Sequence, residues 1–245
     1  MRTVAFLLLA TPWVWADGAV ELTLRNPTNA PRAEIVTLRL YELDLGLPPA
    51  GGLQVLDGSG GPLPSQIDDL DLSGGLSPED ELAFLVAVGP HETVTVTVRA
   101  GDARMSRARW VAAGGLTIAA GGYRVTIAED GGRLLDLSVG AEAGPLVASL
   151  SQTLRGAGPE PGVVFSQQGL AAEIVHCVGP LREAVLARYD LDGGPPPDPH
   201  ATDPGAKPRP GTRGEVLYAF YHDTLSVTHR VIAGDGACPV ETCEV

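Results

Sequence analysis

The chain has 245 residues, of which 30 are acidic and 17 basic, so its formal net charge is −13. This acidity argues against a nucleic-acid partner, because binding to a phosphate backbone needs lysine and arginine side chains that displace its counterions. Hydrophobic residues make up 44% of the chain, which is enough to build a core and excludes global disorder.

Residues 1–16 have the pattern of a secretory signal peptide. Arg2 supplies a positive charge, residues 4–10 are all apolar, and Ala16 precedes a cleavage point before Asp17. The apolar stretch is too short to cross a bilayer, which needs about 20 apolar residues, and no later segment reaches that length. We therefore expect a secreted or periplasmic protein without a membrane span. A short buried N-terminal strand is the alternative.

Residues 17–101 show the alternation of half-buried β-strands. Apolar and polar residues alternate at positions 20–24, 36–40 and 93–99, as in strands with one face toward a core. Turn-forming sequences such as Asn26-Pro27 separate these runs. Short strands at this spacing suggest a small barrel or sandwich, and we predict a small N-terminal β-barrel domain.

An acidic run at residues 68–81 contains six carboxylates and no basic residue. Asp69, Asp71 and Ser73 stand at positions 1, 3 and 5 of a calcium-loop pattern, and Asp80 stands at position 12. Oxygen ligands at alternate positions suit a hard cation that binds six to eight oxygens. These four residues are therefore a candidate calcium site, and a solvated acidic loop is the alternative.

Residues 102–245 also consist of short apolar runs, which predict an antiparallel β-sandwich domain. The sequence Asp130-Gly131 is typical of a hairpin turn. The run at 181–191 is compatible with a strand or a helix. Residues 192–214 are rich in proline and predict a long polar loop before a final hairpin.

The interpretation of the three cysteines follows from the predicted export. Cys238 and Cys243 lie five positions apart and can close a small disulfide loop in an oxidising compartment. Free thiols, or a metal site that includes His229, are the alternatives. Cys177 lies in an apolar run, which predicts a buried and inert thiol.

The sequence contains no nucleophile elbow, zinc-protease motif, phosphate loop or dinucleotide fingerprint. A catalytic acid or base would have to come from a few tyrosines and histidines near the last strands. Aromatic packing between strands is the alternative for these residues. The candidates are Tyr189, Tyr218, Tyr221, His222 and His229.

Several segments fit one pattern together. A strand leads into Asn26-Pro27, residues 53–66 read LQVLDGSGGPLPSQ, residues 122–127 read GYRVTI, and residues 178–182 read VGPLR. This succession resembles the N-terminal region of the exo-rhamnogalacturonan lyase-like family of secreted bacterial proteins. The resemblance implies a small β-barrel, a β-sandwich and a following helical toroid that supplies much of the substrate cleft. Because Val245 falls where the toroid would begin, we expect a truncated chain, a stand-alone module or a diverged protein.

The resemblance implies an exported protein related to polysaccharide-degrading enzymes. Since the toroid is missing, no catalytic residue carries over. A non-catalytic carbohydrate-associated module is the leading hypothesis, with a polysaccharide or a catalytic partner domain as its partner. The alternatives are a polysaccharide lyase that acts by β-elimination on a uronic-acid polymer, and a structural surface-assembly module without a sugar site. Calcium is the one cofactor that the sequence suggests.

Overall fold

In a computed structural model, most of the described residues lie in β-strands. No helix among the described residues is long and apolar enough to cross a membrane. The described residues are 19–43, 52–102, 104–111, 115–120, 123–128, 132–139, 153–156, 164–166, 172–190, 213–221, 224–232 and 240–244.

The predicted all-β class is confirmed, because antiparallel sheets account for nearly all of the regular structure. Among the described residues, one short 3-10 helix spans Leu40–Leu43. The strands are β1 (Val20–Arg25), β2 (Arg32–Arg39), β3 (Leu53–Leu56), β4 (Ser65–Asp68), β5 (Glu81–Val88), β6 (Thr93–Ala100), β7 (Arg104–Met105), β8 (Arg107–Trp110), β9 (Leu116–Ala120), β10 (Tyr123–Ile127), β11 (Leu134–Val139), β12 (Thr153–Gly156), β13 (Val164–Ser166), β14 (Ala172–Val178), β15 (Glu183–Asp190), β16 (Arg213–Tyr221), β17 (Thr224–Ile232) and β18 (Val240–Glu244).

The chain divides into two compact units. The first unit comprises Met1–Ala108 and Cys177–Leu181, and the second comprises Arg109–His176 and Arg182–Val245. We predicted a single division after residue 101. The return of Cys177–Leu181 to the first unit has no counterpart in that prediction, because these residues look like the end of one apolar run, a Gly179-Pro180 turn and the start of the next run.

The first unit contains two sheets, with strand orders β1-β6-β3 and β2-β5-β4-β7. Apolar residues from both sheets form one core; Leu22 and Val96, for example, are direct neighbours on β1 and β6. The predicted small barrel is not closed among the described strands. Consecutive strands β1 and β2 pair with β6 and β5 instead of with each other, so each sheet keeps open edges and the arrangement is a sandwich.

The second unit contains sheets with orders β11-β10-β9 and β13-β12-β18, and a larger sheet with order β17-β16-β15-β14-β8. Its core joins apolar residues of β9, β10 and β11 to those of β14, β15, β16 and β17. The ambiguous run at 181–191 is a strand, β15, which pairs with β16 over eight residues. Pairing with neighbouring strands therefore overrides the helix preference of its alanine and leucine residues.

Several predictions fall outside the described residues. They concern the signal peptide at 1–16, the proline-rich loop up to residue 212, His222 and Cys238. Only the backbone of Cys243, in β18, is described, so the disulfide stays a prediction.

Candidate functional site

The loop between β4 and β5 brings together three of the four candidate calcium ligands. Carboxylate oxygens of Asp69, Asp71 and Asp80 all lie within 4.8 Å of one another. Asp69 and Asp80 are buried, whereas Asp71 is more open to solvent. The fourth candidate, Ser73, donates its hydroxyl to the carbonyl oxygen of Gly75 at 2.9 Å.

Backbone hydrogen bonds hold this acidic loop in place. Asp80 accepts from the N–H of Leu70 at 3.1 Å and from that of Ser77 at 2.8 Å, so one carboxylate joins both ends of the loop. Asp69 and Asp71 each accept from the N–H of Ser73 at 3.0 Å. The carboxylates therefore shape the loop, and part of their acceptor capacity is already used.

The electrostatics of the loop favour the binding of a positive charge. Burial, together with the nearby charges of Asp71 and Asp69, raises the pKa of Asp80 to about 7. Burial is also the main cause that raises the pKa of Asp69. Burial acts in the same direction on Asp71, but hydrogen bonds from Ser77 and Ser73 outweigh it and lower the pKa of that carboxyl.

No described basic side chain forms an ion pair with any of these three aspartates. A proton or a cation would relieve the repulsion among them. The geometry is compatible with the predicted calcium site, and equally with a loop that its own N–H groups stabilise. Calcium binding therefore stays a prediction.

The first unit also carries an open groove with a volume of about 340 Å³. Residues from three separate parts of the chain line it. Its apolar lining consists of Pro62, Leu63, Pro64, Pro180 and Leu181, and its polar lining consists of Gln54, Ser65, Asp102 and Arg104.

The four polar side chains of the groove are available to a ligand. Among the residues that the structure describes, none provides them with a hydrogen bond or an ion pair. Asp102 only accepts hydrogen bonds when ionised and Arg104 only donates them, whereas Gln54 and Ser65 do both. An apolar lining with a few polar groups is typical of small-molecule sites, whose volumes start at about 300 Å³.

A buried glutamine, Gln66, holds in position the segment that contributes Pro180 and Leu181 to the groove. The side-chain oxygen of Gln66 accepts from the N–H of Leu181 at 2.8 Å, and its amide nitrogen donates to Asp68 at 2.7 Å. A Cβ atom on Gly179 would lie 2.3 Å from that oxygen, so only glycine fits there without a shift. In the same segment the Cys177 thiol donates to the carbonyl oxygen of Asp69 at 3.6 Å, and the predicted burial of this cysteine is confirmed.

The structure places the candidate catalytic tyrosines mainly in the core of the second unit. Tyr218 is fully buried and its hydroxyl accepts from the N–H of Leu134 at 3.1 Å. Tyr189 is 3% exposed and its ring covers Gly214 on the neighbouring strand. Tyr221 is half-buried at the end of β16. Packing between strands, the alternative interpretation, therefore describes Tyr189 and Tyr218.

Two histidines of the second unit have contrasting surroundings. The ring of His229 is partly buried, neither nitrogen has a hydrogen-bond partner among the residues that the structure describes, and burial lowers its pKa. The ring of His176 uses both nitrogens: Nδ1 accepts from Arg109 at 3.3 Å and Nε2 donates to Glu183 at 2.6 Å. His176 is thus fixed in one tautomer by structural contacts.

Comparison with known families gives one match, and it covers part of the chain. A family model described as "Domain of unknown function (DUF4861)" matches residues 24–115. The match includes the acidic loop and every groove residue except Pro180 and Leu181. No curated protein matches the chain. The resemblance to the exo-rhamnogalacturonan lyase-like family stays a prediction.

Sequence reasoning missed the groove. Its polar residues Gln54, Ser65, Asp102 and Arg104 stand in three strands and a connecting loop, with no recurrent spacing. A local motif could not have found them, because the fold brings them together.

Proposed function

We propose that the chain is an exported, non-catalytic, carbohydrate-associated module that holds a saccharide in the groove of the first unit. The observation that supports this proposal is the groove itself, with an apolar lining and four polar side chains that no described residue binds through a hydrogen bond or an ion pair. The predicted signal peptide and the resemblance to secreted polysaccharide-degrading proteins are consistent with it.

The chemistry of the groove suits a sugar. A sugar ring presents hydroxyl groups that both donate and accept hydrogen bonds, and C–H faces that pack on apolar surface. Asp102 can accept from a hydroxyl while Arg104 donates to another, and Leu63 and Leu181 offer apolar surface beneath the ring.

The same lining supports binding without turnover. Glycoside hydrolysis usually needs two carboxyl groups on opposite sides of the scissile bond. Asp102 is the one carboxylate among the described residues that line the groove, and that lining holds no histidine or tyrosine. The histidine or tyrosine base that the sequence analysis considered for β-elimination is therefore lacking among these residues, which favours the module over the lyase.

Binding assays with the chain that begins at Asp17 test this proposal. We expect retention on one or more plant-type polysaccharides by affinity electrophoresis, and no absorbance from unsaturated products. Arg104→Ala should weaken binding by about tenfold or more, since hydrogen bonds to charged groups contribute about 1.5–3 kcal/mol. Arg25→Ala removes an equal charge from an exposed position on β1 and should leave binding unchanged.

Three outcomes would contradict the proposal. Unsaturated product would indicate the lyase. Absence of binding to every polysaccharide would favour the structural surface-assembly module. Equal losses in Arg104→Ala and Arg25→Ala would show that net charge, not the groove, controls binding.

A further inference from the structure

We infer that the groove of the first unit selects neutral, hydroxyl-rich saccharides over polyuronates, and that Asp102 is the residue that determines this selectivity. The inference rests on the proposed function. It goes further because it names the charge class of the ligand and the side chain that excludes the other class.

The argument starts from the two charged groups of the groove. Asp102 and Arg104 stand two positions apart and both line it. They form no ion pair with each other, and no other described residue pairs with either of them. Both charges are therefore presented to the ligand instead of cancelling within the protein.

A uronate carboxylate meets conflicting forces in such a groove. It would be attracted to Arg104, but the nearby Asp102 carboxylate would repel it, and like charges placed close together disfavour a complex. No second basic side chain among the described lining residues compensates for that repulsion. A neutral sugar has no such conflict, since separate hydroxyl groups can donate to Asp102 and accept from Arg104.

The charge of the whole chain acts in the same direction. With 30 acidic and 17 basic residues, the protein repels polyanions at long range and slows their approach. Three more carboxylates gather in the acidic loop of the same unit. A local cluster of basic residues could reverse this effect, but the described groove lining contains one arginine.

Isothermal titration with size-matched probes tests the inference. The probes are neutral galactan- and xylan-derived oligosaccharides and oligogalacturonides of equal length. We expect wild-type chain to bind a neutral probe and to bind oligogalacturonide at least about tenfold more weakly. Asp102→Asn keeps the size of the side chain and removes the negative charge, so it should raise oligogalacturonide affinity about five- to tenfold.

A second charge variant separates the local effect from the global one. Glu21→Gln removes one negative charge from β1, outside the groove, and should leave both affinities unchanged. The gain of Asp102→Asn should shrink in about 1 M salt, where the screening length is about 3 Å. Unchanged melting temperatures would show that both variants fold.

The outcomes distinguish this inference from the proposed function. Oligogalacturonide that binds wild-type chain as well as or better than the neutral probes would overturn the inference and leave a carbohydrate-binding groove. Neutral binding without any gain of oligogalacturonide affinity in Asp102→Asn would also overturn the role of Asp102. Failure of every saccharide to bind would overturn both.

Discussion

Asn26 is fully buried at the turn after β1, and its side chain connects distant parts of the first unit. Its amide nitrogen donates to the carbonyl oxygens of Ala30 at 2.8 Å, Val88 at 3.2 Å and Gly89 at 2.9 Å. Its side-chain oxygen accepts from the N–H and hydroxyl of Thr28. One amide group thus donates to three backbone carbonyls from two separate stretches of the chain, and the bond to Val88 is buried.

Replacement of this donor should destabilise the first unit strongly. Asn26→Asp keeps the shape and the acceptor but turns a carboxylate oxygen toward three carbonyl oxygens, so we expect a loss of about 3 kcal/mol or more in the free energy of unfolding. Urea denaturation measures it. Asn29→Asp is the matched control, because Asn29 is exposed and uses its side-chain oxygen as an acceptor toward the His91 ring. Equal losses in the two variants would contradict the role of Asn26.

Gly214 lies against an aromatic ring that leaves no room for a larger side chain. A Cβ atom at this position would lie 2.2 Å from a ring carbon of Tyr189, which is the directly opposite residue on β15. We expect Gly214→Ala to cost about 1–3 kcal/mol through overpacking, measured as a lower midpoint of unfolding. Gly75→Ala should change stability by less than about 1 kcal/mol, since nothing lies within 4 Å of its Cβ position. A midpoint of unfolding that Gly214→Ala leaves unchanged would contradict this prediction, because the Tyr189 ring would then have to move aside without cost.

At this scale the sequence is informative about turns and less so about contacts. The Asn26-Pro27 turn could be predicted because its signal is local. The bond from Asn26 to Val88 joins residues 62 positions apart, which no spacing rule reaches. The aromatic candidates show the same limit: Tyr218 has the chemistry of a catalytic acid, and burial makes it a core residue.

Among the elements, the acidic loop is where charge and folding are most closely linked. The pKa of Asp80 in the folded chain is about 7, well above its ordinary value of 3.8, chiefly because of burial. The folded state therefore binds this proton more tightly than the unfolded state. Stability from this group is greatest in acid and declines as the pH rises from about 4 to about 7.

We expect calcium to oppose that decline, because a cation replaces the proton among Asp69, Asp71 and Asp80. Calcium added to chelator-treated protein should raise its melting temperature, and this increase should be largest above pH 7. Asp80→Asn should remove most of this increase and flatten the dependence of stability on pH. Glu21→Gln serves as the charge control. An identical melting temperature in calcium and in chelator would contradict the calcium site.

The acidic loop and the groove show which elements sequence reasoning can reach. The three aspartates fall within twelve residues, so their proximity follows from a short loop pattern. Strands β1, β2 and β6 could also be predicted, because the alternation of apolar and polar residues marks one buried face. Sheet closure depends on which strands pair, and the open sandwich of the first unit could not be distinguished from a barrel by periodicity alone.

For the whole molecule, the predicted export gives a direct test. The mature chain should begin at Asp17 when the full sequence is produced in a host with a secretion pathway. N-terminal sequencing and intact mass of the protein recovered outside the cytoplasm measure the cleavage. Protein that keeps Met1 through Ala16 and stays in the cytoplasm would contradict the prediction.

The pattern of strands and turns predicted two β-rich parts that meet after residue 101, and the chain divides into two compact units with other bounds. What they could not predict is that the first unit is discontinuous. Its last five residues, Cys177–Leu181, follow most of the strands of the second unit. Contacts across such separations follow from the assembled sheets and leave no local pattern.

That discontinuity determines when the first unit can finish folding. A ribosome or an export channel releases a chain from its N-terminus, so Gln66 emerges 115 residues ahead of Leu181, its hydrogen-bond partner. During that interval the side-chain oxygen of Gln66 lacks the N–H of Leu181, and the carbonyl oxygen of Asp69 lacks the thiol of Cys177. The earliest part of the chain to appear is thus among the last to be completed, and the end of β14 with the turn after it is the segment that completes it.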